Sequence, residues 1–242
     1  MKKMMFALVA LSTVLAFAAE PFKVDPKAAA AHKAKMLKRT GGYVVKPGKG
    51  FVAIVNRQQK ADAKAISEAI APVLKYGRID IRIVTDEKDA KDAGMVVRLL
   101  DEPGKPVLLV APESWWAEVN VAALTPDLPT EDAKRKFFVP RFQKEILRAF
   151  AYAAGAGGSS FNGNVLDVTD IRDLDHVQAV LPVDALDMAI DHLAKRGVTQ
   201  AEQMSYRTAC KEGWAAAPTN DVQKAVWDEV HALPSKPLQL TK

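Results

Sequence analysis

Hydrophobic and polar positions follow two different rhythms along this chain. Residues 51–55 are β-branched and apolar and end at Asn56, while Ile79, Ile81 and Ile83 alternate with Asp80 and Arg82. Both segments read as strands, the second half-buried. Between them, Ile66, Ile70, Val73 and Leu74 recur at helical spacing over 62–74, and Gly77 closes that helix. Further apolar runs at 95–100 and 107–110, separated by the turn Pro103-Gly104, predict two more strands. Residues 117–124 read as another, at a sheet edge. The longest helical pattern runs from Thr130 or Glu131 to Ala154. Pro140 is expected to bend or break it, and Gly155-Ala156-Gly157-Gly158 to stop it. The segment from there to Pro182 is turn-rich and acidic. Three helices are then expected at 183–196, 199–212 and 219–232. Strands first and helices later imply an α+β fold rather than a doubly wound sheet.

The first residues have a different character. Met1-Lys2-Lys3 precedes an apolar stretch from Met4 that ends in Ala16-Phe17-Ala18. A short positive start, an apolar run too short to span a bilayer and a small-x-small end read as a secretory leader. Cleavage after Ala18 places alanine at both positions that need small side chains. The expected organisation is a leader at 1–18, a flexible lead-in at 19–49 with one short helix, an α/β core at 50–178 and a helical extension at 179–242. The exported protein would be periplasmic or secreted. No later segment is apolar enough over a sufficient length to span a membrane.

Composition adds limits. The 34 basic residues outnumber 29 acidic ones, but two of those cations, Lys2 and Lys3, lie in the leader. The near balance that remains makes the overall charge weak evidence for nucleic acid or anionic membrane partners, and the lysines are scattered except between Lys23 and Arg39. Cys210 is the only cysteine, so no intrachain disulfide forms. Tyr206, Cys210 and Trp214 recur at helical spacing, which favours a buried, inert thiol.

Candidate chemistry concentrates on the long helix. Phe138, Phe142, Ile146, Ala149 and Ala153 share one face, and Arg141, Lys144, Glu145, Arg148 and Tyr152 share the other. Taken alone, the second face reads as a solvated stripe with Arg141–Glu145 and Glu145–Arg148 ion pairs, each worth about 0.2–0.5 kcal/mol. The run Arg141-x-x-Lys144-Glu145, with Gly155 at the turn off the helix, also resembles the lead-in to HExxHxxGxxH in archaemetzincin-type zinc peptidases. The resemblance covers roughly residues 51–175, including the strand at Val119-Asn120-Val121 and the acidic stretch from Thr169 to Asp175. It implies a zincin-like mixed sheet with a long helix of the active-site type, followed by the helical extension.

The zinc motif itself departs from that pattern. By the resemblance, Arg148 and Tyr152 stand at the two helix histidines, Ala149 at the catalytic glutamate and Gly158 at the third ligand. Zinc needs neutral imidazole, thiolate or carboxylate within about 2.0–2.3 Å, and a guanidinium supplies none of these. Ala149 is no base. The histidines His32, His176, His192 and His231 show no paired spacing. The resemblance therefore implies a pseudo-peptidase with no catalytic residues, metal or cofactor. It would bind a peptide or other carboxylate-bearing ligand through Arg141, Lys144, Arg148 and Tyr152.

Trp115 and Trp116 precede the strand expected at the edge. They read either as core packing from opposite sides or as a recognition surface, since zincin-type peptidases pair extended peptides against such a strand. The glycine-rich 155–160 loop follows a helix, unlike a phosphate loop. Asp167, Asp170, Asp173 and Asp175 lack calcium-loop spacing and read as caps and turns. Two other functions stay open: a hydrolase with an unrecognised site near Asp173, and a structural envelope protein. The leader reading has a direct check. N-terminal sequencing of the exported protein should start at Ala19, and a chain retaining Met1 in the cytoplasm would overturn it.

Overall fold

The computed structural model describes residues 25–158 and 161–232; the leader expected at 1–18 lies outside them. In chain order come α1 (Pro26–Thr40), β1 (Tyr43–Lys46), β2 (Val52–Asn56), α2 (Ala63–Gly77), β3 (Ile81–Val84), β4 (Met95–Leu100), β5 (Leu108–Ala111) and β6 (Trp116–Asn120). Then follow α3 (Glu131–Ala153), α4 (Val183–Lys195), β7 (Glu202–Ser205), α5 (Tyr206–Lys211) and α6 (Asp221–Ala232). Contacts group them into two compact units. Residues 43–204 form the larger, and the chain up to Gly42 together with the chain from Ser205 forms the smaller.

The larger unit is built on a five-stranded mixed sheet of order β3-β2-β4-β6-β5, in which only the β5–β6 pair is antiparallel. The α+β class and mixed sheet expected from the sequence are what the structure has. Residues 52–55 of β2 are all buried because β2 is an inner strand covered on both faces, which is why it reads as unbroken rather than alternating. Val52, Ile54, Met95, Val97, Leu99, Ala117 and Val119 face a single large core with α2, α3 and α4. The opposite face carries a small cluster of Phe51, Ala53, Val55 and Ala90.

The edge of the sheet differs from the sequence reading. β6 lies inside, and β5 is the edge. A tight turn at Pro112–Ser114 and a left-handed Trp115 (φ 57°) fold the chain back after β5, so β6 runs antiparallel beside it and slots in against β4. The strand stops at Asn120 because the Asn120 side chain accepts from the Ala122 and Glu102 amides and donates to the Glu102 and Lys105 carbonyls.

α3 is continuous through Pro140 over its 23 residues. Pro140 lies on the exposed flank, where water can satisfy the carbonyl that a proline cannot bond. The helix expected at 199–212 is instead β7, paired with β1, followed by the short α5. Ser205 starts α5 by accepting from the Thr208 amide. The partner of β7 lies in the lead-in expected to be flexible, whose described residues form α1 and β1. Gly48 permits a close approach there, since a Cβ at that position would sit 1.9 Å from the Thr199 carbonyl oxygen. Lys49 and Thr199 bond each other through both amides at 2.8 Å.

In the smaller unit, α5 and α6 pack on each other and on α1. Cys210 is buried, as its spacing suggested, and Tyr206 is buried beside it. Trp214 and Trp227 are half-buried.

Candidate functional site

Both faces of the second half of α3 are covered. The apolar face, with Phe138, Phe142, Ile146, Ala149 and Ala153, is buried against the sheet as its spacing requires. The charged face is buried too: Arg141 is 7% exposed, Lys144 9% and Glu145 0%. Its cover is the segment from Asn164 to Asp175, which lies along α3 as a strap.

The strap is shaped by its own side chains. Asn164 with Asp167, and Asp170 with Asp173, form two reciprocal capping boxes around short helical turns at Val165–Asp167 and Ile171–Asp175. Asp173 accepts from the Thr169 and Asp170 amides and the Thr169 hydroxyl, all at 2.8 Å. The Asp170 and Thr169 amides hold its carboxyl below the usual range. Asp167, Asp170 and Asp173 are occupied in caps, as their spacing suggested, whereas Asp175 is not.

Four side chains of α3 grip the strap in reverse order. Arg141 donates two parallel bonds to Asp175, at 2.8 and 2.6 Å, and a third contact reaches the Leu124 carbonyl at 3.4 Å. Lys144 donates to the Leu174 carbonyl. Arg148 donates to the Val168 carbonyl at 2.9 Å and to Glu145 at 3.2 Å. The Tyr152 hydroxyl donates to the Leu166 carbonyl at 3.2 Å. Advancing along the helix thus means moving back along the strap.

Electrostatics follow from that burial. The hydrogen bond from Arg141 holds the Asp175 carboxyl down. Desolvation lowers Lys144, with Asp175 opposing the shift. Burial pushes Glu145 up, and the adjacent Arg148 only partly offsets this. Glu145 is thus a buried carboxylate with one charged partner, an arrangement that costs stability when both charges are fixed.

Beside the strap a cleft of about 470 Å³ remains open. One wall is the β5 region, with Pro106, Leu108, Val110 and Pro112; the other is Thr169 to Ile171, and Arg148 and Tyr152 also line it. The Arg148 Nε is buried without a partner. Of the six residues singled out from the sequence, then, Arg148 and Tyr152 border the cleft. Arg141 and Lys144 are committed to the strap. Trp115 packs on the core, edge-on to His192 at 6.4 Å and 5.5 Å from the Arg196 guanidinium. Trp116 opens β6, with the Arg98 guanidinium 5.4 Å from its ring. Neither tryptophan lines the cleft. The β5 wall and Ile171 had no signal in the sequence, because the fold of the chain after β5 and the docking of the strap on α3 are what bring them to Arg148.

A larger cavity, of about 510 Å³, lies between the start of α2 and the first half of α3. Its rim charges are largely answered by neighbours, as in Lys60–Asp101 and Lys134–Glu131.

The residues present do not fit a zincin metal centre. Arg148 is a fixed cation bonded to Glu145 and Val168, Tyr152 bonds the strap, and Ala149 is in the core. Among the described residues, no three His, Cys, Asp or Glu side chains group to hold a metal ion.

No family model matches the chain, and no curated protein matches it. Solved structures do. The chain is similar to archaemetzincin from Methanopyrus kandleri, with 13% identity over 60% of this chain and 96% of that one, at a TM-score of 0.45. It is similar also to a zinc-dependent peptidase from Methanocorpusculum labreanum, with 13% identity over 58% of this chain and 100% of that one, at a TM-score of 0.43. A third is archaemetzincin from Archaeoglobus fulgidus, with 11% identity over 57% of this chain and 99% of that one, at a TM-score of 0.38. These likenesses concern the fold alone.

The Arg141–Asp175 pair generates a test. Asp175 is held low in the folded protein, so the pair stabilises the fold above the pKa of an unfolded aspartate, about 4. That contribution is lost as pH falls through the lower folded value. Asp175→Asn should cost about 3 kcal/mol at neutral pH, the low end for breaking a buried pair because Asp175 keeps a quarter of its side chain exposed. Urea melts across pH should show the difference between variant and wild type shrinking toward zero in acid. A constant difference would remove the charge from the explanation.

Proposed function

We propose that the protein is an exported, non-catalytic relative of zincin-type peptidases in architecture, and that it binds an extended peptide in the cleft beside β5. The observation that carries this reading is the position of the β5 edge. β5 pairs with β6 on one side only among the described strands, and the cleft with Arg148 and Tyr152 runs along it. An unpaired edge supplies backbone donors and acceptors for an added strand, and alternate side chains of that strand enter the groove. Apolar side chains suit the wall of Pro106, Leu108, Val110 and Ile171.

Arg148 gives the reading its polarity. Its charge is shared with Glu145, and burial weakens the ionised form of that carboxyl. A peptide carboxylate, from an acidic side chain or a C-terminus, can compete for the guanidinium, with the Tyr152 hydroxyl beside it. Loss of chemistry in this reading comes from the residues at the motif positions. Arg148 and Tyr152 replace ligands, and Ala149 replaces the base that would activate water.

Two measurements test the proposal. In a fluorescence screen of short peptides, acidic ones should bind best, and Arg148→Ala should weaken them at least tenfold. Lys64→Ala, a change at a side chain 83% exposed, should leave binding unchanged. Equal binding by Arg148→Ala and wild type would move the peptide elsewhere. Separately, metal analysis of protein purified without chelators should find far less than one zinc per chain, and a chelator should not move the Tm. A stoichiometric zinc that stabilises the fold would overturn the non-catalytic reading.

A further inference from the structure

α1 carries five cations and no acid: Lys27, Lys33, Lys35, Lys38 and Arg39. All five are exposed, as is His32, and only Met36 and Thr40 of the helix are half-buried. At about 100° per residue, Lys27, His32, Lys35, Lys38 and Arg39 fall on one side, with Lys33 alone off that stripe. Met36 and Thr40 lie on the other flank.

Among the described residues the stripe is unanswered. Some exposed cations elsewhere meet carboxylates, as in Lys60–Asp101 and Arg82–Asp80, while others, such as Lys88 and Lys136, pair with none among the described residues. No described carboxylate reaches any cation of α1. Of the acidic residues described in the same unit, Asp25 caps α1 by accepting from the Lys27 amide, Glu212 follows α5, and Asp221, Asp228 and Glu229 are on α6.

Helix stability does not account for the pattern. Lys38 and Arg39 in the last turn suit the helix dipole, but Lys27 in the first turn opposes it. Lys35 has like charges at i+3 and i+4, in Lys38 and Arg39, and such pairs are destabilising. A stripe that costs the helix stability and meets no carboxylate among the described residues is a surface shaped for an external anion.

We propose that α1 docks on the anionic headgroup surface of a lipid bilayer. Lysines dominate the stripe, and each is a compact point charge suited to scattered phosphates rather than to bidentate reading of one group. α1 has no aromatic residue, so it offers no platform for stacking bases. Alanines separate the cations and let about 22 Å of helix lie close to a plane. The apolar content of α1 is mostly alanine, so the contact is electrostatic and peripheral, without insertion. The leader expected from the sequence would deliver the chain to such a surface.

Vesicle co-sedimentation of the full chain tests this, using phosphatidylcholine with phosphatidylglycerol against phosphatidylcholine alone. Any uptake through the apolar N-terminus is common to all samples. The expected result is at least tenfold stronger binding to the anionic vesicles. That excess should vanish in K27Q/K35Q/K38Q/R39Q and when salt rises from about 0.05 to 0.5 M, where the screening length falls below 5 Å. K211Q/K224Q, which removes exposed cations outside α1, should keep it. Circular dichroism checks that the glutamine variant retains its helix; if it does not, the salt series on wild type decides. Equal binding to both vesicles, or an anionic preference that survives the four substitutions, overturns the proposal. So does single-stranded DNA displacing the vesicles at equal total charge.

Discussion

The fold depends on burying a charged face. The second half of α3 places two cations and a carboxylate where almost no water reaches them, and each desolvated charge needs a partner or a shifted pKa. Arg141 and Lys144 find theirs on the strap, in the Asp175 carboxylate and the Leu174 carbonyl. Glu145 finds Arg148. Without these contacts the strap would be a loop of turns with little apolar surface to hold it, apart from Val165, Leu166, Val168 and Leu174. The capping boxes give it a shape, and α3 gives it a place.

What was legible in the sequence was whatever depends on neighbours along the chain. β2 and β4 read correctly from runs of β-branched residues, and α3 from its apolar stripe. What stayed hidden depends on partners far away in sequence. Asp175 lies 34 residues from Arg141, and nothing local marks it as the aspartate that leaves its own turn to meet a guanidinium. Likewise β7 looked helical because its pairing partner, β1, lies in a segment that composition assigns to a lead-in. The edge was misplaced for a subtler reason: strand order follows from the reversal at Trp115, where a tryptophan adopts a left-handed conformation that propensity disfavours.

The same burial reshaped the candidate site. The sequence presented a stripe of four potential ligand contacts, and strap formation divides them. Arg141 and Lys144 are spent on holding the chain together, while Arg148 and Tyr152 each make one bond to the strap and still border open space. The division follows the geometry of the helix, since the strap runs beside α3 while β5 approaches it from the other side. Arg148 sits between the two, tied to Glu145 and Val168 yet with its Nε unsatisfied. A group already partly bonded and buried is preorganised, so a ligand reaching it loses little to side-chain ordering.

Cations in this protein therefore sort by environment. Where burial is deep, as at Arg141, pairing is bidentate, because an unpaired charge there would be too costly to keep. On open surfaces water solvates the charge and pairing is optional, so the absence of a partner alone means little. α1 stands apart because its cations are crowded on one helix with like charges one turn apart, at Lys35, Lys38 and Arg39. Solvation does not remove that repulsion; it only screens it, and a nearby anionic surface relieves it further. Buried cations hold this chain's own segments together, whereas crowded exposed ones gain most from a partner outside it.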